Sequence, residues 1–422
     1  MLTDSIKIFP TGPIDADVRP PGSKSITNRA LICSVLAKGA SVLHGALQSD
    51  DTEVMVASLQ SLGFQVQADW TKSVIRVQGR GGVIPADQAD MNLRNSGTSI
   101  RFLTALCCAG QGRFTLDGIE RMRQRPIGEL ANALNQLGAQ VSCEEGCPPV
   151  QIEARGLAGG SAIINCERSS QFLSALLMVL PQMQKFTVLQ VPGALVSQPY
   201  VSMTCQVMSQ FGVEVTQMAG EYSIDPRHAY AGQVYAIEPD ASAASYFWAA
   251  AAITGGRCRV DGLKLGAVQG DTRFLQVLEE MGCQIIGDET GTAIYGGPLR
   301  GIEVDMNDIS DTVQTLAAVA LFAEGPTTIK GVAHNRFKET DRIGNLAIEL
   351  RKLGATVDET DDGFVITPAA LRPAEIETYD DHRMAMALSL VGLRQPGVVI
   401  RNPSCVSKTY PRFWDDLRAV SS

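Results

Sequence analysis

The chain has 422 residues, 45% of them hydrophobic and 19% charged, and a formal net charge of −9. That length exceeds what one hydrophobic core usually supports, so two domains are expected. The acidic balance argues against a nucleic-acid or membrane-surface binder, yet a local basic cluster inside an acidic shell still suits a small anion.

From the start of the chain, "MLTDSIKIFPTG" shows neither the basic nor the apolar region of a signal peptide. Apolar runs such as "FLSALLMVL" and "YFWAAAAI" fall far short of the roughly 20 residues a spanning helix needs. A cytoplasmic location is expected. The ten cysteines form no C-x-x-C pair, with only four histidines to join them. They read as buried thiols of a reducing compartment, and no metal site, disulfide frame or cofactor is expected.

Residues 1 to 19 read as strand, ending at Pro20-Pro21. The next stretch, "PPGSKSITNRALIC", places Lys24, Ser25 and Arg29 at the mouth of an apolar helix. A phosphate-binding loop needs a glycine five residues before Gly-Lys-Ser/Thr; here Lys24 follows Ser23 rather than Gly22, and Asp17 stands at the glycine position five residues before Gly22. The lysine therefore needs another explanation.

A repeat follows. "LQSLGFQV", "LNQLGAQV", "MSQFGVEV", "LEEMGCQI" and "LRKLGATV" each close an apolar helix with glycine and enter a strand. Gly63, Gly138, Gly212, Gly282 and Gly354 recur every 70 to 75 residues or about that, each supplying a left-handed helix cap. "FWDDLRAV" reads as a sixth, truncated copy. Between these caps lie helices apolar almost all round, beginning near Ser25, Gly97, Ser169, Ser242, Asp311 and His382. Such helices are buried on every side. The six units divide as three per domain, with a chain that starts in one domain, crosses at Pro20-Pro21 and returns near Ile237. The expected domains are residues 1–20 plus 237–422, and residues 21–236, with a hinge at the two crossings.

Polar residues collect at the helix starts. Capping explains Asp50, Asp240, Asp271 and Thr312. It does not explain Lys24, Arg125, Lys338, Arg383 and Lys408, because a cation there opposes the helix dipole by about 0.3–1 kcal/mol. An anion would offset that cost, drawing on amides, dipole and side chain together. Lys24, Arg29, Arg101, Arg125, Lys338, Arg342, Arg383 and Lys408 would then line a cleft between domains for small phosphates and carboxylates. "FKETDR" and "SDT" set Glu339, Asp341 and Asp311 beside these cations. A carboxylate among cations stays ionised and can take a proton from a hydroxyl. Asp341 fits a surface ion pair, whereas Asp311 and Glu339 fit chemistry.

In order along the chain, "PGSKSITNRAL", "NSGTSIR", "RMRQRPI", "SSQFLSALL", "SQPY", "DMNDISDT", "KETDR", "YDDHRMAM" and "CVSKTYP" resemble the 5-enolpyruvylshikimate-3-phosphate synthase family of enolpyruvyl transferases. The resemblance covers residues 21 to 411. It implies an α/β fold of two domains, each of three βαβαββ repeats arranged as an inside-out α/β barrel. It also implies the transfer of an enolpyruvyl group from phosphoenolpyruvate to the 5-hydroxyl of shikimate 3-phosphate, without metal or cofactor. Carried over motif by motif, Lys24, Ser25, Arg29, Ser169, Ser170, Gln171, Ser197, Asp311, His334 and Lys338 would hold shikimate 3-phosphate. Lys24, Asn95, Gly97, Arg125, Gln171, Arg342, Arg383 and Lys408 would hold phosphoenolpyruvate. Asp311 would be the base, while Glu339, Lys24 and His382 would move the proton at C3. The resemblance further implies a monomer inhibited by glyphosate, a competitor of phosphoenolpyruvate.

Two positions depart from the family pattern. His334 stands where the family often has asparagine, with Asn335 next door, and Phe102 stands where many members have proline. An enolpyruvyl transferase acting on UDP-N-acetylglucosamine is the nearest alternative. Its expected catalytic cysteine is missing from "DGIERMRQRPIG". A non-catalytic binder of an anionic metabolite is the other alternative.

Overall fold

The repeating glycines set the frame of the structure, a computed structural model describing residues 4–225 and 227–421. Gly63, Gly138, Gly212, Gly282 and Gly354 all adopt positive φ, between 82° and 115°. Each directly follows the C-cap residue of its helix and turns the chain into a strand, a conformation glycine enters without a Cβ clash.

Contacts divide the chain into two units, one running Gly22–Glu238 and the other taking both chain ends, through Pro21 and from Pro239. Each described unit holds three small open sheets. In every four-stranded sheet two parallel strands are extended by an antiparallel hairpin; Gln88–Asn92, Gln111–Asp117, Cys147–Arg155 and Gln140–Glu144 are one example. Alternation decides which face is buried: Val150, Ile152 and Ala154 point inward, while Gln151, Glu153 and Arg155 are exposed.

The first and fourth repeats exchange their leading strands. Asp15–Val18 precedes the helix Lys24–Leu36 in sequence, yet pairs in parallel with Arg257–Asp261. Val234–Ala236 precedes the helix Ala241–Thr254, yet pairs with Lys38–His44. Among the described residues the last repeat has no hairpin of its own. Ser5–Lys7 takes the antiparallel place beside Val398–Arg401 and makes a three-stranded sheet.

Within Gly22–Glu238 the buried helices Lys24–Leu36, Gly97–Cys108 and Gln171–Val179 contact one another. In the other unit Ala241–Thr254, Val313–Ala320 and His382–Ser389 do the same, the first reaching the third through the turn Leu390–Leu393. Every residue of Ala241–Thr254 is buried, Phe247 and Trp248 among them. Truncating Phe247 to alanine would cost about 3–5 kcal/mol. Capping differs from expectation. Asp240 does accept from Ala243 N at 2.9 Å, but Ser49 rather than Asp50 caps its helix, and Thr312 donates to Ile309 O instead. Asp271 accepts from the Ser242 hydroxyl. Among the described residues no helix is long and apolar enough to cross a membrane.

Candidate active site

Because the first helical residues are polar, each unit gathers polar groups where its buried helices begin. In Gly22–Glu238, Ser23 caps the first helix, accepting from Ile26 N at 3.4 Å. Lys24 follows it, only 9% exposed, with Nζ 3.4 Å from Asp51 Oδ2. The Asp51 carbonyl accepts from Ser99 Oγ at 3.4 Å, tying this helix start to that of Gly97–Cys108. Gln171 joins the third start to the second: its amide donates to Thr98 Oγ1 at 3.2 Å, and its carbonyl accepts from Arg101 at 2.7 Å. The backbone N–H of Gln171 donates to Ser169 Oγ, and Ser170 is buried beside it. These bonds put the three helix starts at one end of the unit.

Arg125 sits on this face, donating to the Asn95 carbonyl at 2.9 Å and to its side-chain oxygen at 3.2 Å. A Cβ added to Gly97 would lie 2.7 Å from the Arg125 guanidinium carbon. Glycine here leaves room for the guanidinium, which a side chain would push aside, and is not called for by φ.

Arg29 is placed differently from Lys24. It donates to Thr204 Oγ1 at 2.7 Å, Ser25 O at 2.9 Å and Tyr200 O at 3.2 Å. Its guanidinium lies 5.3 Å from the centre of the Phe102 ring. Burial lowers its pKa to about 10. It thus fastens Ser25 to the helix Gln198–Gln210, which opens at Ser197 in a left-handed conformation with φ 51°.

The other unit concentrates charge. Asp311 accepts from Lys338 at 2.6 Å and Arg342 at 3.2 Å on one oxygen, and from Arg383 at 2.8 Å on the other. Arg342 is 1% exposed and also grips Asp381, Nε at 2.7 Å and a terminal nitrogen at 3.1 Å, and Glu339 at 2.8 Å. Burial works against the Arg342 charge, but Asp381, Glu339 and Asp311 carry its pKa above the ordinary value. Lys408 Nζ stands 4.0 Å from Glu339 Oε1. Arg383 reaches the Tyr246 hydroxyl at 3.4 Å, and burial pushes that phenol up to about 12.

Neutral imidazoles flank the cluster. Burial, then Lys338, lowers His334 to about 3. Burial, then Arg383, holds His382 well below its usual range, with Nδ1 3.5 Å from Asp381. Burial also lowers the Lys338 pKa, with Asp311 opposing.

The expected residues thus fall into three groups. Lys24, Asn95, Gly97, Arg125, Ser169, Ser170 and Gln171 share one helix-start face with Arg101. Ser25, Arg29 and Ser197 lie along the Gln198–Gln210 helix. Asp311, His334, Lys338, Glu339, Arg342, His382, Arg383 and Lys408 form the second cluster. Sequence reasoning missed Asp51, Tyr246 and above all Asp381, which is fully buried, holds Arg342 and caps its own helix through Arg383 N at 2.9 Å. The run "YDDHRMAM" carried the signal: an acid just before a buried helix that starts with two basic residues.

Polar, cation-rich faces at helix starts are suited to small polyanions. The EPSP synthase (3-phosphoshikimate 1-carboxyvinyltransferase) family model matches residues 8–417, and the chain belongs to that family. It is 49% identical over 406 residues to a 3-phosphoshikimate 1-carboxyvinyltransferase of Nostoc punctiforme, covering 95% of each chain. The corresponding protein of Serratia proteamaculans is 44% identical, with 100% of this chain and 99% of the relative covered. An EPSP synthase structure from Acinetobacter baumannii shares the fold, with a TM-score of 0.83, 24% identity and 98% of each chain covered.

Proposed function

We propose that this protein transfers the enolpyruvyl group of phosphoenolpyruvate to the 5-hydroxyl of shikimate 3-phosphate, releasing inorganic phosphate. The observation that carries the reading is Asp311, a carboxylate gripped by Lys338, Arg342 and Arg383 at the start of a buried helix. The 5-hydroxyl oxygen attacks C2 of phosphoenolpyruvate while its proton passes to Asp311, with Lys338 in contact to share the charge. Lys24 supplies from its ammonium the proton that adds to C3, and Glu339, an ionised carboxylate paired with Arg342 and near Lys408, assists that transfer. In the elimination, a C3 proton returns to the protein, the C2–O bond to phosphate breaks, and the enol ether is left. The neutral His382 resists protonation and fits a positioning group better than a proton carrier.

Lys24, Ser25, Ser169, Ser170, Gln171 and Ser197 hold shikimate 3-phosphate, Arg29 acting by fixing Ser25, and His334 and Lys338 complete its contacts. Arg125 and Arg383 supply guanidinium forks to phosphoenolpyruvate, with Lys24, Lys408, Asn95 and Gln171 around it. Such forks match carboxylate and phosphate oxygens in pairs. Arg342, paired with three carboxylates, orients the cluster and completes the contacts to phosphoenolpyruvate. Glyphosate competes at the phosphoenolpyruvate position beside Gly97. The protein acts in the cytoplasm as a monomer, without metal or organic cofactor.

Phosphate release measured with both substrates tests the reading. Release should require shikimate 3-phosphate and phosphoenolpyruvate together. Lys24→Met should abolish it while leaving the melting temperature near wild type; phosphate release by that variant at the normal rate would contradict the role of Lys24.

A further inference from the structure

Two segments of the Pro239–Ser422 part carry the cations Arg383 and Lys408, and each begins at a strained turn. Tyr379 and Asp380 are consecutive non-glycine residues in the left-handed region, with φ of 52° and 56°, directly before Asp381, His382 and Arg383. Asn402, with φ 43°, directly precedes the turn Pro403–Lys408 that ends in Lys408. Side chains other than glycine persist in such conformations only when the surroundings over-determine them.

Here they do. The Tyr379 hydroxyl donates to the buried Glu349 at 2.7 Å, and Asp381 N donates to Thr378 O at 2.8 Å. The Asn402 amide donates to Asp380 Oδ1 at 3.0 Å, while its carbonyl oxygen accepts from Ser404 Oγ at 2.8 Å. One hydrogen bond therefore joins the two strained turns and sets the Arg383 segment in register with the Lys408 segment. Neither Asp380 nor Asn402 lies among the cations and acids of the cluster itself. Asp and Asn are also the residues that enter the left-handed region most readily after glycine, so the pair combines conformation with contact.

We propose that Asp380 and Asn402 are positioning residues that align Arg383 and Lys408 on the phosphoenolpyruvate anion. This inference rests on the function proposed above. Asn402→Asp would set two carboxylates against each other. It should raise the KM for phosphoenolpyruvate about five- to tenfold, the scale of one lost hydrogen bond. The kcat and the KM for shikimate 3-phosphate should stay within about twofold of wild type on the same reasoning. The exchanged pair, Asp380→Asn with Asn402→Asp, reverses donor and acceptor, still lets residue 402 accept from Ser404, and should restore the KM. Asn402→Gly keeps the backbone conformation without the side chain and should show a smaller rise in the same direction, which covers poor folding of the charged variant.

An Asn402→Asp enzyme with wild-type KM, or an exchanged pair that melts like wild type without regaining it, would overturn the proposal. Titration calorimetry of phosphoenolpyruvate against the three proteins reads the same differences without turnover. Absence of phosphate release from wild type would count against the reaction, whereas the calorimetric ranking decides the positioning role by itself.

Discussion

The two helix-start faces are built from similar helices but solve the problem of a buried cation differently. In Gly22–Glu238, Arg101 and Arg125 donate to side-chain amide and backbone carbonyl oxygens, and Lys24 pairs with Asp51. In the Pro239–Ser422 part, Lys338, Arg342, Arg383 and Lys408 are interleaved with Asp311, Glu339 and Asp381. A cation held by neutral dipoles keeps most of its field for a guest. A cation tied to a carboxylate gives up field but gains a fixed position, and it brings a group that can carry a proton. Under the proposed reaction, the difference suits the first face to recognition of fixed charge and adds proton movement at the second.

The largest test breaks that division directly. Asp311→Asn keeps the shape of the carboxylate but leaves Lys338, Arg342 and Arg383 without their shared anion. The kcat should fall about 10²–10⁴-fold, the usual contribution of a positioned base. The KM for phosphoenolpyruvate should hold or fall, because Arg383 loses a competitor for the guest. Asp51→Asn, the matched change on the other face, should alter KM more than kcat. Steady-state phosphate release for the two variants checks the contrast; an equal loss of kcat in both would erase the distinction between the faces.

A smaller effect sharpens the neutral face. Gly97→Ala places a methyl group against the Arg125 guanidinium, whose anchors are Asn95 O and Oδ1. Crowding of a packed site typically costs about 1–3 kcal/mol. The KM for phosphoenolpyruvate should therefore rise about tenfold or more, and inhibition by glyphosate should weaken at least as much. The KM for shikimate 3-phosphate should remain near wild type. Unchanged glyphosate inhibition in this variant would refute the steric role of Gly97.

Much of this contrast was legible in the sequence, and the reasons are local. Positive φ at Gly63 or Gly354 is the consequence of a helix ending at glycine, which is visible in a string such as "LRKLGATV". Lys24 or Arg383 at a buried helix start stands out because it violates helix electrostatics. The exchange of leading strands was less legible. Asp15–Val18 and Val234–Ala236 are short strands with ordinary patterns, and their partners lie more than two hundred residues away for the first and nearly as far for the second. Periodicity gives a strand but not its long-range partner. The roles of Arg29 and Arg342 were hidden for a related reason. Both are arginines in site motifs, yet both are nearly fully buried and committed to protein acceptors. Only tertiary placement shows that an arginine of a site motif also braces its neighbours. Asp381 escaped because its value lies in Arg342, 39 residues earlier in the chain.

The smallest predicted effect concerns stability, and it probes the charged face alone. His334 and His382 both belong to the Pro239–Ser422 part, and both are held neutral, the first with its pKa lowered to about 3. An unfolded chain would protonate them near the usual pKa of about 6.5. As pH falls through that value the unfolded state binds protons that the folded state refuses, so stability is lost on acidification. The loss approaches about 1.4 kcal/mol per pH unit for each histidine. It begins near pH 6.5 and, for His334, continues toward about 3. Between pH 7 and 5.5 ordinary carboxylates contribute little, which isolates the imidazoles. Urea unfolding across that range should show the slope, and His334→Gln should remove about half of it, since a neutral amide takes up no proton in either state. A His334→Gln protein that keeps the full wild-type slope would show that His334 is charged in the fold, and the charged face would then hold His334, Lys338, Arg342, Arg383 and Lys408 against the acids Asp311, Glu339 and Asp381.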